Sequence, residues 1–289
     1  MSTSSPPAPP PKKPPTPPPS KTTAQPTSPA RVQRTFEVVS GVTKTHHKVV
    51  IYGPGGAGKS TLCSLISEYV EKAVFIDLGS ETEFLDVSRI GDKDSPIETW
   101  DELRSILHND SMWTGVDAIV VDSLTKAEEL AINWTLQNVK HEKGHSVFGI
   151  EEYGWGKGYV HVYETFLQLL GDLDAHQRRG RHIICTAHDC TEKVPNPEGE
   201  DWIRYEPRLQ NASRGNIRSR VKEWADHLLY VGFDTAVSKA GKATGAGTRT
   251  IYPVELPAWL AKSRSLSEPI VYPNGSSELW KQLLQGRTS

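Results

Sequence analysis

Lys59 and Ser60 stand directly after Gly58, and Gly53 stands five residues earlier, so residues 53–60 read G-x-x-x-x-G-K-S. That spacing predicts a P-loop, a turn that wraps a phosphate chain. Glycines let the backbone point its N–H groups inward, and a helix starting where the loop ends adds a partial positive charge. The expected nucleotide contacts are Gly53, Pro54, Gly55, Gly56, Ala57, Gly58, Lys59, Ser60 and Thr61. The Lys59 ammonium is expected on the β- and γ-phosphates and the Ser60 hydroxyl on Mg²⁺, which makes ATP with Mg²⁺ the expected cofactor. A companion acid should end a hydrophobic strand, and "AIVVDS" supplies Asp122, placed to hold the metal through water. Aspartate is also an ordinary strand-end capping residue, so Asp122 carries the metal role only beside the loop.

The loop needs a strand before it and a helix after it, and "KVVIY" and "TLCSLISEYV" supply them. Short β-branched runs recur at 47–53, 73–79, 117–123, 181–188 and 228–233, separated by amphipathic stretches such as 60–71, 98–108, 124–140 and 157–178. This alternation predicts an α/β fold: a mostly parallel sheet with helices on both faces. "RTIYPVELP" and "PIVYP" read as a short C-terminal β extension, "SELWKQLLQ" as a last helix, and "AVSKAGKATGAGTRT" as a mobile hairpin loop. The expected organisation is a proline-rich tail at 1–34, one ATPase domain at 35–275, and a C-terminal helix and tail at 276–289.

Residues 1–30 hold 12 of the 21 prolines and no acidic residue, so that segment has nothing to bury and reads as a solvated tail or a ligand for a proline-binding domain. Subtracting its three lysines from a net charge of −2 leaves a core near −5, which excludes a globally basic nucleic-acid binder but not a local basic patch. Cys63, Cys185 and Cys190 lack metal-ligand spacing and read as reduced thiols of a cytosolic protein. No apolar run approaches the roughly twenty residues of a membrane span.

The order of P-loop, "FIDL", "VVDS" and "ICTAH" resembles the RecA-type ATPase core. More narrowly, "IEEYGWGKGYVHVYETFLQLLGDLDAHQRRGRHIICTAHD", followed by "YEPRLQNASRGNIRSRVKEWADHLLYV", is similar to phage-type ATP-binding proteins related to RecA, a group that includes single-strand annealing proteins. The resemblance covers about residues 45–273. It implies a sheet with the "ICTAH" strand between the P-loop and "VVDS" strands. It also implies rings or filaments of identical subunits with ATP bound between them, single-stranded DNA and a single-strand binding protein as partners, and a bacterial or phage-infected host cytosol.

Carried over by position, the family's γ-phosphate sensor falls on His188. The family's water-positioning glutamate, two residues beyond the equivalent of Asp77, is replaced here by Gly79. Glu81 and Glu83 are the nearest carboxylates, and a shifted loop would bring Glu81 within a water of the γ-phosphate, with slow hydrolysis expected. Lys262 and Arg264 match a K-x-R pattern that RecA-like oligomers aim at a neighbour's ATP. They read equally as surface charges on a C-terminal strand.

Between 204 and 222, Arg204, Arg208, Arg214, Arg218, Arg220 and Lys222 face one acid, Glu206. Arg208, Arg214, Arg218, Arg220 and Lys222 are the expected contacts to a DNA backbone. A solvated helix with charge partners elsewhere gives the same composition. In "EEYGWGKGYVHVY", Tyr153, Trp155 and Tyr159 would stack bases beside Lys157, or else serve as core. The leading expectation is an ATP-dependent single-strand DNA-binding and annealing protein. A hexameric helicase and a DNA-independent ATP switch recruiting a partner through the tail stand as alternatives.

Overall fold

The computed structural model describes residues 38, 40–41, 46–196, 198–237 and 243–285, so the expectations for the tail at 1–34 lie outside it. β1 (Lys48–Tyr52) leads through the glycine loop into α1 (Lys59–Ser64). There follow β2 (Ala73–Asp77), β3 (Ser88–Ile90), α2 (Trp100–His108), β4 (Ala118–Asp122), α3 (Leu124–Asn138) and α4 (Lys157–Arg178). β5 (His182–Ala187), β6 (Asp189–Val194), β7 (Trp202–Pro207), α5 (Ile217–Trp224), β8 (His227–Val237), β9 (Ala243–Tyr252), β10 (Ile270–Val271) and α6 (Glu278–Leu284) complete the chain.

Eight strands form one sheet in the order β10-β9-β8-β1-β5-β4-β2-β3. The six strands from β8 to β3 are parallel, and β9 joins β8 as an antiparallel hairpin. β5 lies between β1 and β4, as the resemblance implies. The central strands are buried on both faces, because side chains alternate across a strand and helices cover both sides. Val50, Tyr52, Ile119 and Val121 pack with α2, α3, α4 and α5. Val49, Ile51, Ala118 and Val120 pack with α1 and α6. The expected α/β core of a P-loop NTPase is what the chain forms.

Three elements differ from the expectation. α1 stops at Ser64 and tightens into a 3-10 turn over Leu65–Glu68, short of residue 71. The Trp280 indole N–H donates to the Leu62 carbonyl at 2.6 Å, taking the acceptor that residue 66 would use in a continuing α-helix. The stretch expected as a mobile loop at 236–250 is largely paired backbone, from Val237 opposite Ala243 up to Gly232 opposite Thr250, although 238–242 lie outside the described residues. The 189–207 region contains an antiparallel hairpin, β6–β7, where the sequence suggested none. Among the described residues, no helix is long and apolar enough to cross a membrane.

Candidate functional site

Parallel strands deliver their following loops to one edge of the sheet, and in such folds ligands bind there. The P-loop follows β1, residues 78–83 follow β2, Asp122 ends β4 and His188 follows β5, so four candidate segments share that edge. Gly53 hugs the neighbouring strand: a Cβ there would meet the Val231 carbonyl oxygen at 2.1 Å. Gly56 and Gly58 hold φ of +76° and +82°, in the left-handed region that favours glycine. Four of the six residues at 53–58 are glycine, and the Ala57 N–H donates to the Pro54 carbonyl at 3.2 Å.

Lys59 is buried, and its ammonium donates to the carbonyls of Gly53 at 2.9 Å and Pro54 at 3.0 Å. Burial lowers its pKa, and the nearby charges of Glu81, Asp122 and Asp189 act the other way. The Ser60 hydroxyl donates to Asp122 Oδ2 at 2.6 Å, and Thr186 on β5 donates to Oδ1 of the same carboxylate. Burial raises the Asp122 pKa, while these two hydroxyls oppose that rise. A hydroxyl and a carboxylate in contact beside a buried ammonium form an oxygen-rich donor set that suits Mg²⁺. The residues present fit the cofactor that the loop implies.

Glu81 and His188 meet at this edge, with His188 Nε2 3.2 Å from Glu81 Oε1. A side chain begun at Gly79 would meet the Glu81 carboxylate at 3.5 Å, so Glu81 reaches back over the Gly79 position. Asp77 shapes that detour. Its buried carboxylate accepts from the backbone N–H groups of Gly79, Glu81 and Thr82 at 3.1, 3.1 and 2.9 Å, and also from the Thr82 hydroxyl. Glu83 turns away and accepts from the Lys93 backbone N–H at 3.1 Å.

A family model described as an AAA domain matches residues 45–265. The chain belongs to this family. No curated protein matches it. The AAA domain is a nucleotide-binding, P-loop NTPase type, and its matched span runs from just before β1 to just past Arg264.

Among the other predicted site residues, the AAA domain separates what the sequence grouped. Arg208, Arg214 and Arg220 are exposed. Arg218 is not a surface cation: at 6% exposure it donates to Glu206 at 2.5 Å and to Glu192 at 2.9 Å, because α5 turns it inward under β6–β7. Burial acts to lower its pKa, and the bonds from Glu192 and Glu206 outweigh that and raise it. Lys222 pairs with Glu255 at 2.7 Å. Lys262 departs from the expectation of a cation aimed outward: its ammonium donates to the carbonyls of Lys222, Glu223 and Ala225 at 2.9, 3.2 and 2.8 Å, closing the C-terminus of α5. Arg264 is exposed and pairs with buried Asp226 at 3.1 Å.

The aromatic segment also divides. Tyr153 is core, with its hydroxyl donating to the carbonyls of Thr135 at 3.2 Å and Val139 at 2.5 Å. Tyr159 is half-buried and donates to Glu151. Trp155 is 91% exposed, held out by a left-handed backbone at φ +52°. Residues 208–215 run against the start of α4, where Gly215 passes so close that a Cβ would meet the Tyr159 carbonyl at 2.8 Å. Trp155 and Arg214 thereby line one cleft of about 330 Å³ with Gly156, Tyr159, Ala212 and Ser213.

Sequence reasoning gave no role to four residues of this edge. Asp77 and Thr186 carried a weak signal, as polar residues in otherwise apolar strands. Arg249 and Tyr272 carried none. Arg249 donates to the Ala57 carbonyl at 3.1 Å, its guanidinium lies 4.6 Å over the Tyr272 ring, and the Tyr272 hydroxyl donates to the Gly58 carbonyl at 3.1 Å. They brace the outer side of the P-loop from 192 and 214 residues away, Arg249 carried there by β9 and Tyr272 by its place directly after β10.

Proposed function

We propose that this AAA domain binds single-stranded DNA under the control of ATP and promotes strand annealing in recombination, as the resemblance to RecA-related phage proteins suggests. One observation carries the reading: an exposed tryptophan and an exposed arginine, distant in sequence, face one cleft. An aromatic face offers stacking to any base and a guanidinium offers a phosphate partner, which is the chemistry of sequence-tolerant single-strand binding. Arg208 and Arg220 are also exposed in the same segment of the chain.

At the other site, Mg²⁺ with ATP supplies a phosphoanhydride whose γ-phosphate is polarised by the metal. Lys59, now on two loop carbonyls, would neutralise phosphate charge, and Ser60 with Asp122 would hold the metal. Glu81 orients and deprotonates the attacking water. His188, paired with Glu81 at 3.2 Å, would turn to the γ-phosphate and report its presence. Reaching the site from two residues further along makes Glu81 a slow base, which suits a binding protein better than a motor. Arg264 is the cation that a neighbouring subunit would receive across an interface in a homo-oligomer, since Lys262 is committed to α5. The test is ATPase rate with and without single-stranded DNA, together with imaging of the particles formed. DNA-stimulated slow turnover in discrete assemblies supports the reading. Rapid turnover with strand displacement favours a helicase, and turnover indifferent to DNA favours a DNA-independent switch.

A further inference from the structure

We propose that Thr125 and Glu128 are positioning residues that couple the nucleotide site to the loop at 208–214, an inference resting on the reading above of that loop as the ligand-binding one. Both are buried on α3, immediately after Asp122. The Thr125 hydroxyl accepts from the His188 backbone N–H at 3.1 Å and donates to the Arg208 carbonyl at 3.3 Å. The Arg208 N–H in turn donates to the His188 carbonyl at 2.8 Å. One turn further along, Glu128 accepts from the Gln210 N–H at 2.7 Å. Residues three apart share a helix face, so a single face of α3 grips the chain at 208 and at 210. The same hydroxyl grips the end of β5.

Each end of this bracket meets something that can move. His188 carries the ring that pairs with Glu81 beside Lys59, so a change of partner for that ring pulls on the N–H that Thr125 holds. Beyond Gln210 the loop borders a cavity of about 750 Å³, walled by Ile132, Tyr159, Asn211 and Ser213 as well as by the bracket itself, which leaves room for the loop to shift. Burial pushes the Glu128 carboxyl up to about 7, against the opposing hydrogen bond from Gln210. A carboxylate kept buried at such a cost is not explained by core packing, where an apolar residue would serve better.

The test is hydrogen exchange on the full chain with and without a non-hydrolysable ATP analogue and Mg²⁺, comparing wild type with Thr125→Val, Thr125→Ser, Glu128→Leu and Glu128→Gln. In wild type the nucleotide should change exchange across 208–214 by at least about fivefold, and in Thr125→Val and Glu128→Leu by less than about twofold, the span that separates measurable coupling from none. Thr125→Ser and Glu128→Gln, which keep the hydroxyl and an oxygen acceptor, should restore the response, and a general loosening of the fold would not follow that pattern. Nucleotide affinity should stay within about twofold throughout, since neither residue touches the P-loop. Should Thr125→Val not fold, the Glu128 pair decides alone. A wild type that binds nucleotide with no change at 208–214, or a Thr125→Val or Glu128→Leu that responds like wild type, overturns the inference. Single-strand DNA affinity measured in parallel separates the two readings: a nucleotide response without DNA binding rejects the DNA assignment and leaves the coupling standing.

Discussion

Arg218→Ala and Arg214→Ala should have opposite consequences, although the two residues lie four apart in one basic segment. Arg218 is 6% exposed, with Glu206 at 2.5 Å, Glu192 at 2.9 Å and the Leu209 carbonyl at 3.1 Å. Deleting one partner of a buried pair costs about 3–5 kcal/mol because the remaining charge stays buried. Glu206 keeps Arg204 as a second partner, so the lower end applies, about 3 kcal/mol. For a domain of this size that is a fall in melting temperature of roughly 10 °C. Arg214 is exposed, so its removal should leave stability within about 0.5 kcal/mol of wild type. It should instead flatten the salt dependence of single-strand binding by about 0.7 in logarithmic slope, one lost phosphate contact. Thermal melts and salt titrations of both variants decide the matter. An Arg218→Ala protein as stable as wild type, with a flattened salt slope, would refute the assignment of Arg218 to the interior.

Glu81→Gln should lower ATP turnover by about a hundredfold with nucleotide binding retained, and Glu83→Gln should not, because Glu83 serves the Lys93 backbone; equal rates for Glu81→Gln and wild type in a phosphate-release assay would remove the base. His182 is held neutral, its pKa lowered to about 4 by burial and by neighbouring His46 and His47. Its folded pKa lies below the unfolded value, so its contribution is present above about pH 6.5 and is lost as pH falls towards 4, up to about 3 kcal/mol. Urea midpoints at pH 7 and pH 4.5 should therefore converge more in His182→Gln than in wild type. Lys262→Ala should destabilise the fold by about 1–2 kcal/mol by uncapping α5, seen in thermal melts. Mixed assemblies of Arg264→Ala with Lys59→Ala should regain turnover that neither has alone; assembled mixtures that regain none count against action across an interface.

What was legible in the sequence was local. The P-loop, the strand ending in Asp122 and the helix over 157–178 each depend on residues within one element and its flanks, and periodicity reports those directly. Glu81 was reachable because Glu81 and Glu83 are the first carboxylates after Gly79, though its choice over Glu83 depends on the turn folded around Asp77. The β6–β7 hairpin was hidden because "DCTEKV" is mostly polar, "WIRYEP" holds Ile203 and Tyr205 exposed, and the pair stands apart from the main sheet. Arg218 and Lys262 were misread for one shared reason. Their partners are carboxylates and carbonyls brought from other elements, and a cation in a basic segment looks the same whether it faces solvent or Glu206. Tyr153 and Trp155, two residues apart, show the same limit, since a left-handed turn sends one ring inward and the other out.

The central claim is that ATP governs single-strand DNA binding at the cleft between Trp155 and Arg214. It is tested most directly by titrating a labelled homopolymeric single strand with wild type and with a Trp155→Ala/Arg214→Ala double variant, each with and without ATP and Mg²⁺. Wild type should bind, with an affinity that ATP changes by about fivefold or more. The double variant should lose about tenfold or more, from one base stack of about 1–3 kcal/mol and one phosphate contact, with unchanged nucleotide affinity and melting temperature. Equal DNA affinity for the two proteins, or no binding by a wild type that binds ATP, would contradict the account.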